Sequence, residues 1–141
     1  MARKDEKLEQ LGRMWLFSAC TKRDLQVIGR TSDEVTVPAG KALTEEGRPG
    51  HEFYLILDGE ASVRRNNRKI ATLSAGQYFG ELSLLDRGPR TATVVADTDL
   101  RLLVLGQREF NGLLDEVPGL AHKVLKTMAT RLRDADAKAY H

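Results

Sequence analysis

Two charged residues near the middle of the chain, Glu81 and Arg90, stand in a segment whose residue types suit a ligand. Gly80 lets the backbone approach another group closely, and the amides of residues 81–83 would be the unsatisfied donors of a helix start, which bind anions. The planar guanidinium of Arg90 is well matched to phosphate oxygens. A carboxylate beside a sugar accepts hydrogen bonds from its hydroxyl groups, so the segment predicts a ribose phosphate site.

The same two residues could instead form a structural ion pair on a surface loop, because charged residues near turns are usually solvated. A solvated pair needs neither Gly80 nor the sequence Pro89-Arg90-Thr91 leading into a strand, whereas a ligand cradle needs all of them. We therefore favour the ligand site.

Helices are predicted at both ends of the chain. Apolar residues from Leu8 to Trp15 recur three and four positions apart, which is typical of one helix face. Thr21 is suited to cap a second helix, with Asp24 near its positive end. A short helix is predicted over 107–114 and a long one after Pro118, which suits a first helical turn. The long helix has an apolar stripe consisting of Leu120, Val124, Met128 and Leu132.

The middle of the chain alternates short strand patterns with turn residues. Strands are predicted at 35–37, 53–57, 61–63, 91–96 and 100–105, and Asn66-Asn67 is predicted to form a tight hairpin turn. The basic run around that turn, residues 64–69, is interpreted as a solvated hairpin. The order predicts an α+β fold, an antiparallel, jelly-roll-like β-roll with N-terminal helices, a short helical turn at residue 80 and a long C-terminal helix. We expect one domain over 1–141, with helices in 5–30, the β-roll in 34–106 and helices in 107–138.

Composition excludes several classes of protein. With 41% hydrophobic and 30% charged residues, the chain is ordinary for a globular protein, and it contains no apolar run of spanning length. No signal core follows the charged N-terminus, and Ala2 stands where myristoylation requires glycine, so we expect a cytoplasmic protein without a membrane partner. The single cysteine, Cys20, agrees with a reducing compartment.

The central segment resembles the phosphate-binding cassette of the cyclic-nucleotide-binding domain family. The resemblance rests on Phe-Gly-Glu-Leu-Ser-Leu-Leu, starting at Phe79, and on Pro-Arg-Thr-Ala-Thr-Val, starting at Pro89, and it extends over about residues 15–133. It implies that Glu81 binds the ribose 2′-hydroxyl, that Arg90 binds the cyclic phosphate and that backbone amides complete the cradle. The ligand-binding residues that it implies are Gly80, Glu81, Leu82, Ser83, Arg90, Thr91 and Ala92.

The resemblance leaves the base open. Thr91 resembles the residue that reaches the guanine amino group in cyclic-GMP-dependent kinases, yet it also suits a β-branched strand position. We favour cyclic AMP, with cyclic GMP as the competitor. Thr127 and Thr130 on the last helix are candidate base contacts, or plain helix-surface residues.

Other functions find little support. Ser83 lacks the following glycine of a nucleophile elbow, and His51, His122 and His141 have no metal-ligand spacing, so we expect neither an enzyme nor a metal site. Basic residues are not clustered for nucleic acid, and we expect no recognition helix after the long helix. We expect a stand-alone sensor that signals to a partner still to be identified. The resemblance implies that its last helix transmits the signal, and this helix is also a candidate homodimer contact. The alternative is the sensor domain of a larger transcription regulator, kinase or channel.

Overall fold

The computed structural model describes residues 2–86 and 88–139, with side chains from residue 6 onward. The chain divides into two compact units. One is Thr31–Phe110, and the other combines the segments on either side of it.

Three helical segments open the chain: α1 (Ala2–Arg13), a 3₁₀ turn (Trp15–Phe17) and α2 (Lys22–Thr31). The prediction that Trp15 continues the first helix is wrong, because extended Met14 (φ −67°, ψ 137°) interrupts the helix before it. The predicted cap at Thr21 is confirmed. Its hydroxyl accepts a hydrogen bond from the Asp24 amide (3.1 Å), and the Asp24 carboxylate accepts one from the Thr21 amide (2.9 Å). This reciprocal pair satisfies two donors at the start of α2.

The unit Thr31–Phe110 is a β-roll. Its strands are β1 (Asp33–Val37), β2 (Ala42–Thr44), β3 (Glu52–Asp58), β4 (Ala61–Arg65), β5 (Arg68–Leu73), β6 (Tyr78–Phe79), β7 (Thr93–Ala96) and β8 (Leu100–Gly106). They form two four-stranded antiparallel sheets, with strand orders β1-β8-β3-β6 and β2-β7-β4-β5. Buried side chains of β3 and β8 pack against those of β4 and β7, so the core lies between the sheets. The predicted β-roll is confirmed.

The sequence pattern predicts five of these strands but not β2, β5 or β6. Several predicted bounds also differ, since β1 begins at Asp33 rather than at 35 and β4 extends to Arg65 rather than to 63. The strand predicted over 91–96 begins only at Thr93, since residues 90–92 form an irregular segment described below. β2 and β6 have three and two residues, too few to show a period. The turn at Asn66 and Asn67 is confirmed, with φ of 53° and 62° joining β4 to β5. Asparagine tolerates this left-handed conformation, which a two-residue hairpin loop requires.

Two helices close the chain: α3 (Gln107–Glu116) and α4 (Leu120–Ala139). Pro118 does not start the last helix as predicted, because Gly119 takes a left-handed φ of 78° and α4 begins after it. The predicted apolar stripe is buried at Leu120 and Val124, but Leu132 is 68% exposed. The apolar stripe is therefore buried only at the start of α4, although Arg131 farther along the helix lies over the Trp15 ring of the same unit. No helix in the described part of the chain is long and apolar enough to cross a membrane.

Candidate ligand-binding site

The site begins where β6 ends and the chain turns sharply at Gly80. Gly80 has a left-handed φ of 80° and is followed by a 3₁₀ turn, Glu81–Leu84, which buries Ser83 and Leu84. A Cβ atom at position 80 would lie 2.6 Å from Arg90 Nη1 and 2.9 Å from the Glu52 carbonyl oxygen. Both the backbone conformation and the close approach therefore require glycine here.

One of the three amides predicted to form an anion cradle is already used. The Ser83 amide donates to the Gly80 carbonyl at 3.0 Å, because a 3₁₀ turn closes its hydrogen bond after only three residues. This corrects the prediction that the amides of residues 81–83 are all unsatisfied.

The guanidinium of Arg90 is held in place from two sides. Nη1 donates to Ser83 Oγ at 2.7 Å, and Nη2 donates to the Glu52 carbonyl at 2.9 Å. Burial lowers the pKa of Arg90, while Tyr54 and Glu52 oppose that shift. Arginine nevertheless stays protonated in proteins, so the site keeps a fixed positive charge.

Tyr54 on β3 supports this cation from within the sheet. The Arg90 guanidinium lies over the Tyr54 ring, 5.9 Å from its centroid, and the ring stacks on Phe79 at 4.9 Å. The Tyr54 hydroxyl lies 3.2 Å from the Glu52 carboxylate. Burial, followed by the effect of Glu52, raises the pKa of Tyr54 to about 12. Tyr54 therefore stays a neutral phenol beneath the guanidinium.

The backbone around Arg90 is irregular but anchored at each carbonyl. The Arg90 carbonyl accepts from the Gly47 amide (2.8 Å), and the Thr91 carbonyl accepts from Arg65 Nε (2.9 Å). The Ala92 carbonyl accepts a hydrogen bond from the hydroxyl of Thr44 (3.0 Å), and Thr44 is buried. These donors replace the ladder bonds that a strand would supply, which explains why β7 begins only after them.

Five of the predicted ligand-binding residues line a cavity of about 260 Å³, namely Gly80, Glu81, Arg90, Thr91 and Ala92, whereas Leu82 and Ser83 are not among its lining residues. Its size is near the lower end of small-molecule sites. Glu81 and Arg90, nine positions apart in sequence, both line it, so the structure brings the carboxylate and the cation to one concave space. Ser83 is buried and holds Arg90, while Leu82 is 57% exposed. The lining residues are Thr44, Val63, Arg65, Leu73, Tyr78, Phe79, Gly80, Glu81, Arg90, Thr91, Ala92 and Val94.

Sequence reasoning missed Glu52, Tyr54, Thr44 and Arg65. No local motif marks them, and the Glu52 contribution to Arg90 is a backbone carbonyl, which any residue could supply. Arg65 belongs to the basic run interpreted as a solvated hairpin. Arg65 is exposed, as that interpretation expects, but it also donates a hydrogen bond to the Thr91 carbonyl.

Thr127 and Thr130 lie on α4, in the other unit. Their hydroxyls donate to the carbonyls of Lys123 (3.0 Å) and Lys126 (3.2 Å), one helical turn earlier. Both line a cavity of about 310 Å³, where the Arg131 guanidinium lies 4.6 Å from the Trp15 ring centroid. Their predicted contact with a base stays a prediction.

The described histidine, cysteine and carboxylate side chains were the candidates for metal binding or nucleophilic chemistry. Within residues 2–86 and 88–139, no cluster of three histidine, cysteine, aspartate or glutamate residues could hold a metal ion. His141 lies outside the described residues. Burial, followed by the charge of Asp24, raises the pKa of the Cys20 thiol to about 11, so the thiolate is disfavoured.

Comparison with known proteins points to one family. The family model for the cyclic nucleotide-binding domain matches residues 34–117, more than half of the chain. The cyclic AMP receptor protein of Thermus thermophilus is 38% identical over 104 residues, which cover 70% of this chain and 48% of that protein. Fungal cAMP-dependent protein kinase regulatory subunits also match, and the chain spans still smaller shares of them.

Two solved structures extend the likeness to three dimensions. The N-terminal domain of a transcriptional regulator from Streptomyces coelicolor A3(2) is 32% identical with a TM-score of 0.85, covering 92% of this chain and 94% of that one. The regulatory domain of Toxoplasma gondii PKA, solved with cAMP, is 28% identical with a TM-score of 0.72, covering 79% and 44%. With its β-roll, its glycine-led turn and a family match over most of the roll, this chain belongs to the cyclic nucleotide-binding domain family.

Proposed function

We propose that this chain binds a cyclic mononucleotide in the cavity between Glu81 and Arg90 and acts as a sensor. The observation that carries the proposal is the placement of Arg90, whose guanidinium is held by Ser83 and the Glu52 carbonyl and lines the same cavity as Glu81. Because this guanidinium is already ordered, binding a phosphate costs little further conformational entropy of the arginine side chain. Glu81 then takes the ribose hydroxyl.

Cyclic AMP is the favoured ligand, with cyclic GMP as the competitor. The names of the Thermus receptor and of the fungal regulatory subunits, and the cAMP complex of the Toxoplasma domain, support the adenine nucleotide. Thr91 lines the same cavity as Arg90. It favours the guanine nucleotide, because it resembles the residue that reaches the guanine amino group in cyclic-GMP-dependent kinases.

We propose that binding is transmitted through α4 as a population shift. A ligand favours whichever conformation of the protein binds it better, by its difference in affinity for the two. Leu125 and Leu132 lie seven positions apart, on one face of α4. Their side chains are 63% and 68% exposed. This face is the proposed contact with a partner or with a second copy of the chain.

Calorimetric titration of the wild type with cyclic AMP and cyclic GMP tests the proposal. We expect saturable binding, and we expect Arg90→Ala to weaken it by about 2 kcal/mol or more because charge-assisted phosphate contacts are lost. Arg68→Ala is the matched control, since it removes the same charge from an exposed strand position that does not line the cavity. Absence of both heat and thermal shift at millimolar nucleotide would overturn the proposal.

We further propose that the nucleotide leaves the site unchanged. Arg90 and Glu81 supply binding contacts, and the described part of the chain offers no metal cluster to activate a water molecule. Chromatography of cyclic AMP after prolonged incubation with the protein should recover the intact nucleotide. Appearance of linear AMP that scales with protein concentration would show an enzyme instead.

A further inference from the structure

Arg65 is a second cation on the same cavity as Arg90. It lies at the end of β4, and both Arg65 and Val63 line the cavity. Side chains two positions apart on a strand share a face, so Arg64 between them is directed to the opposite side. The basic run at the hairpin is thus divided, and one of its arginines belongs to the site.

The Arg65 side chain is partly fixed. Its Nε donates to the Thr91 carbonyl at 2.9 Å, in the irregular segment that follows Arg90. Its two terminal nitrogens have no hydrogen-bond or ion-pair partner among the residues that the structure describes. A guanidinium anchored through Nε therefore presents a planar pair of donors at the mouth of the cavity.

The wall next to Arg65 suits the flat face of a base. Val63, Leu73 and Val94 line the cavity with apolar surface, and Glu81 and Arg90 hold polar positions that the sugar and phosphate would use. Arg65 and Thr91 line the same cavity and are both exposed, so a base lying along the apolar wall would meet their side chains.

We propose that Arg65 is a specificity-determining residue that reads the acceptor edge of a purine and favours guanine. Guanine presents two neighbouring acceptors, O6 and N7, to a guanidinium fork, whereas adenine presents N7 beside a donor amino group. The inference rests on the proposed nucleotide function and deepens it. Arg65 makes the site accept cyclic GMP alongside the favoured cyclic AMP.

The test measures the ratio of the two affinities, by titrating cyclic AMP and cyclic GMP into the wild type, Arg65→Ala, Arg65→Lys and Arg64→Ala. We expect Arg65→Ala to weaken cyclic GMP by about tenfold more than cyclic AMP, the discrimination typical of one bidentate base contact. Arg65→Lys should behave like Arg65→Ala, because lysine keeps the charge but lacks the planar fork. Arg64→Ala, with the same loss of charge on the opposite face, should keep the wild-type ratio.

Three results would overturn the role of Arg65. If Arg65→Ala weakens the affinity for both nucleotides equally, Arg65 serves only to anchor the Thr91 carbonyl. A wild-type ratio in Arg65→Lys would mean that charge alone matters, and a changed ratio in Arg64→Ala would mean that the whole basic run acts. In all three cases the wild type still binds, so the proposed function stands; a wild type that binds neither nucleotide overturns both proposals.

Discussion

The position of Arg90 can be tested without touching Arg90, by adding a methyl group at Gly50. Gly50 is buried, and a Cβ atom there would overlap the Nε and Cζ atoms of Arg90 and lie 2.6 Å from Ser83 Oγ. All three atoms belong to side chains, so the Arg90 guanidinium can move away without displacing the backbone. We expect Gly50→Ala to leave a folded protein whose arginine no longer sits over the phosphate position.

The magnitude follows from the bonds that are lost. Arg90 makes two hydrogen bonds, to Ser83 Oγ and to the Glu52 carbonyl, and these hold it in the wall of the cavity. A hydrogen bond to a charged group contributes about 1.5–3 kcal/mol, so losing one phosphate contact costs about 2 kcal/mol, or roughly 30-fold in Kd. The same methyl group should also lower the melting temperature, because the two hydrogen bonds that Arg90 makes within the protein are lost when its guanidinium is displaced.

Titration calorimetry with cyclic AMP measures the affinity, and thermal melting of the free protein measures the fold. Gly112→Ala in α3 is the matched control, because a Cβ atom there meets nothing within 4 Å. That change should raise stability by about 0.5–1 kcal/mol through helix propensity and leave Kd unaltered. An unchanged Kd in Gly50→Ala, with Gly112→Ala as expected, would refute the argument that the position of Arg90 determines phosphate binding.

Other changes separate binding from stability. Glu81→Gln should weaken cyclic AMP about tenfold by calorimetry at an unchanged melting temperature; a lower melting temperature would indicate a structural ion pair instead. Asp24→Asn should lower the free energy of unfolding by about 1–3 kcal/mol, measured by urea titration. The reason is that Asp24 both caps α2 and pairs with Lys123. Although burial opposes the shift, hydrogen bonds from Lys123 and Thr21 lower the pKa of Asp24. The stabilisation by Asp24 is therefore fully present above its unfolded pKa of about 4 and is lost as the pH falls through its lower folded-state pKa. The difference in free energy of unfolding between wild type and variant should accordingly vanish in acid, and a difference that stays constant with pH would contradict this. Leu132→Glu should abolish any dimer seen by analytical ultracentrifugation, and a dimer that survives it would exclude this face of α4.

Local chemistry explains what the sequence predicts well. Thr21 and Asp24 identify the start of α2 because a capping pair needs only four consecutive residues. Asn66 and Asn67 identify the β4–β5 hairpin because few residues adopt two successive left-handed conformations. The candidate site was also visible locally, since Gly80, Glu81 and Arg90 lie within one short segment. Their ligand contacts stay predictions, but the cavity that they line is in the structure.

What surrounds Arg90 is decided by tertiary structure. Glu52, Tyr54 and Arg65 reach it or its neighbour Thr91 from strands that lie 26 to 38 positions away along the chain, and only antiparallel pairing brings them together. The same holds for α4, whose apolar period runs unbroken through Leu120, Val124, Met128 and Leu132. Periodicity shows which residues share a helix face, but only the packing of the other elements decides how much of that face is buried.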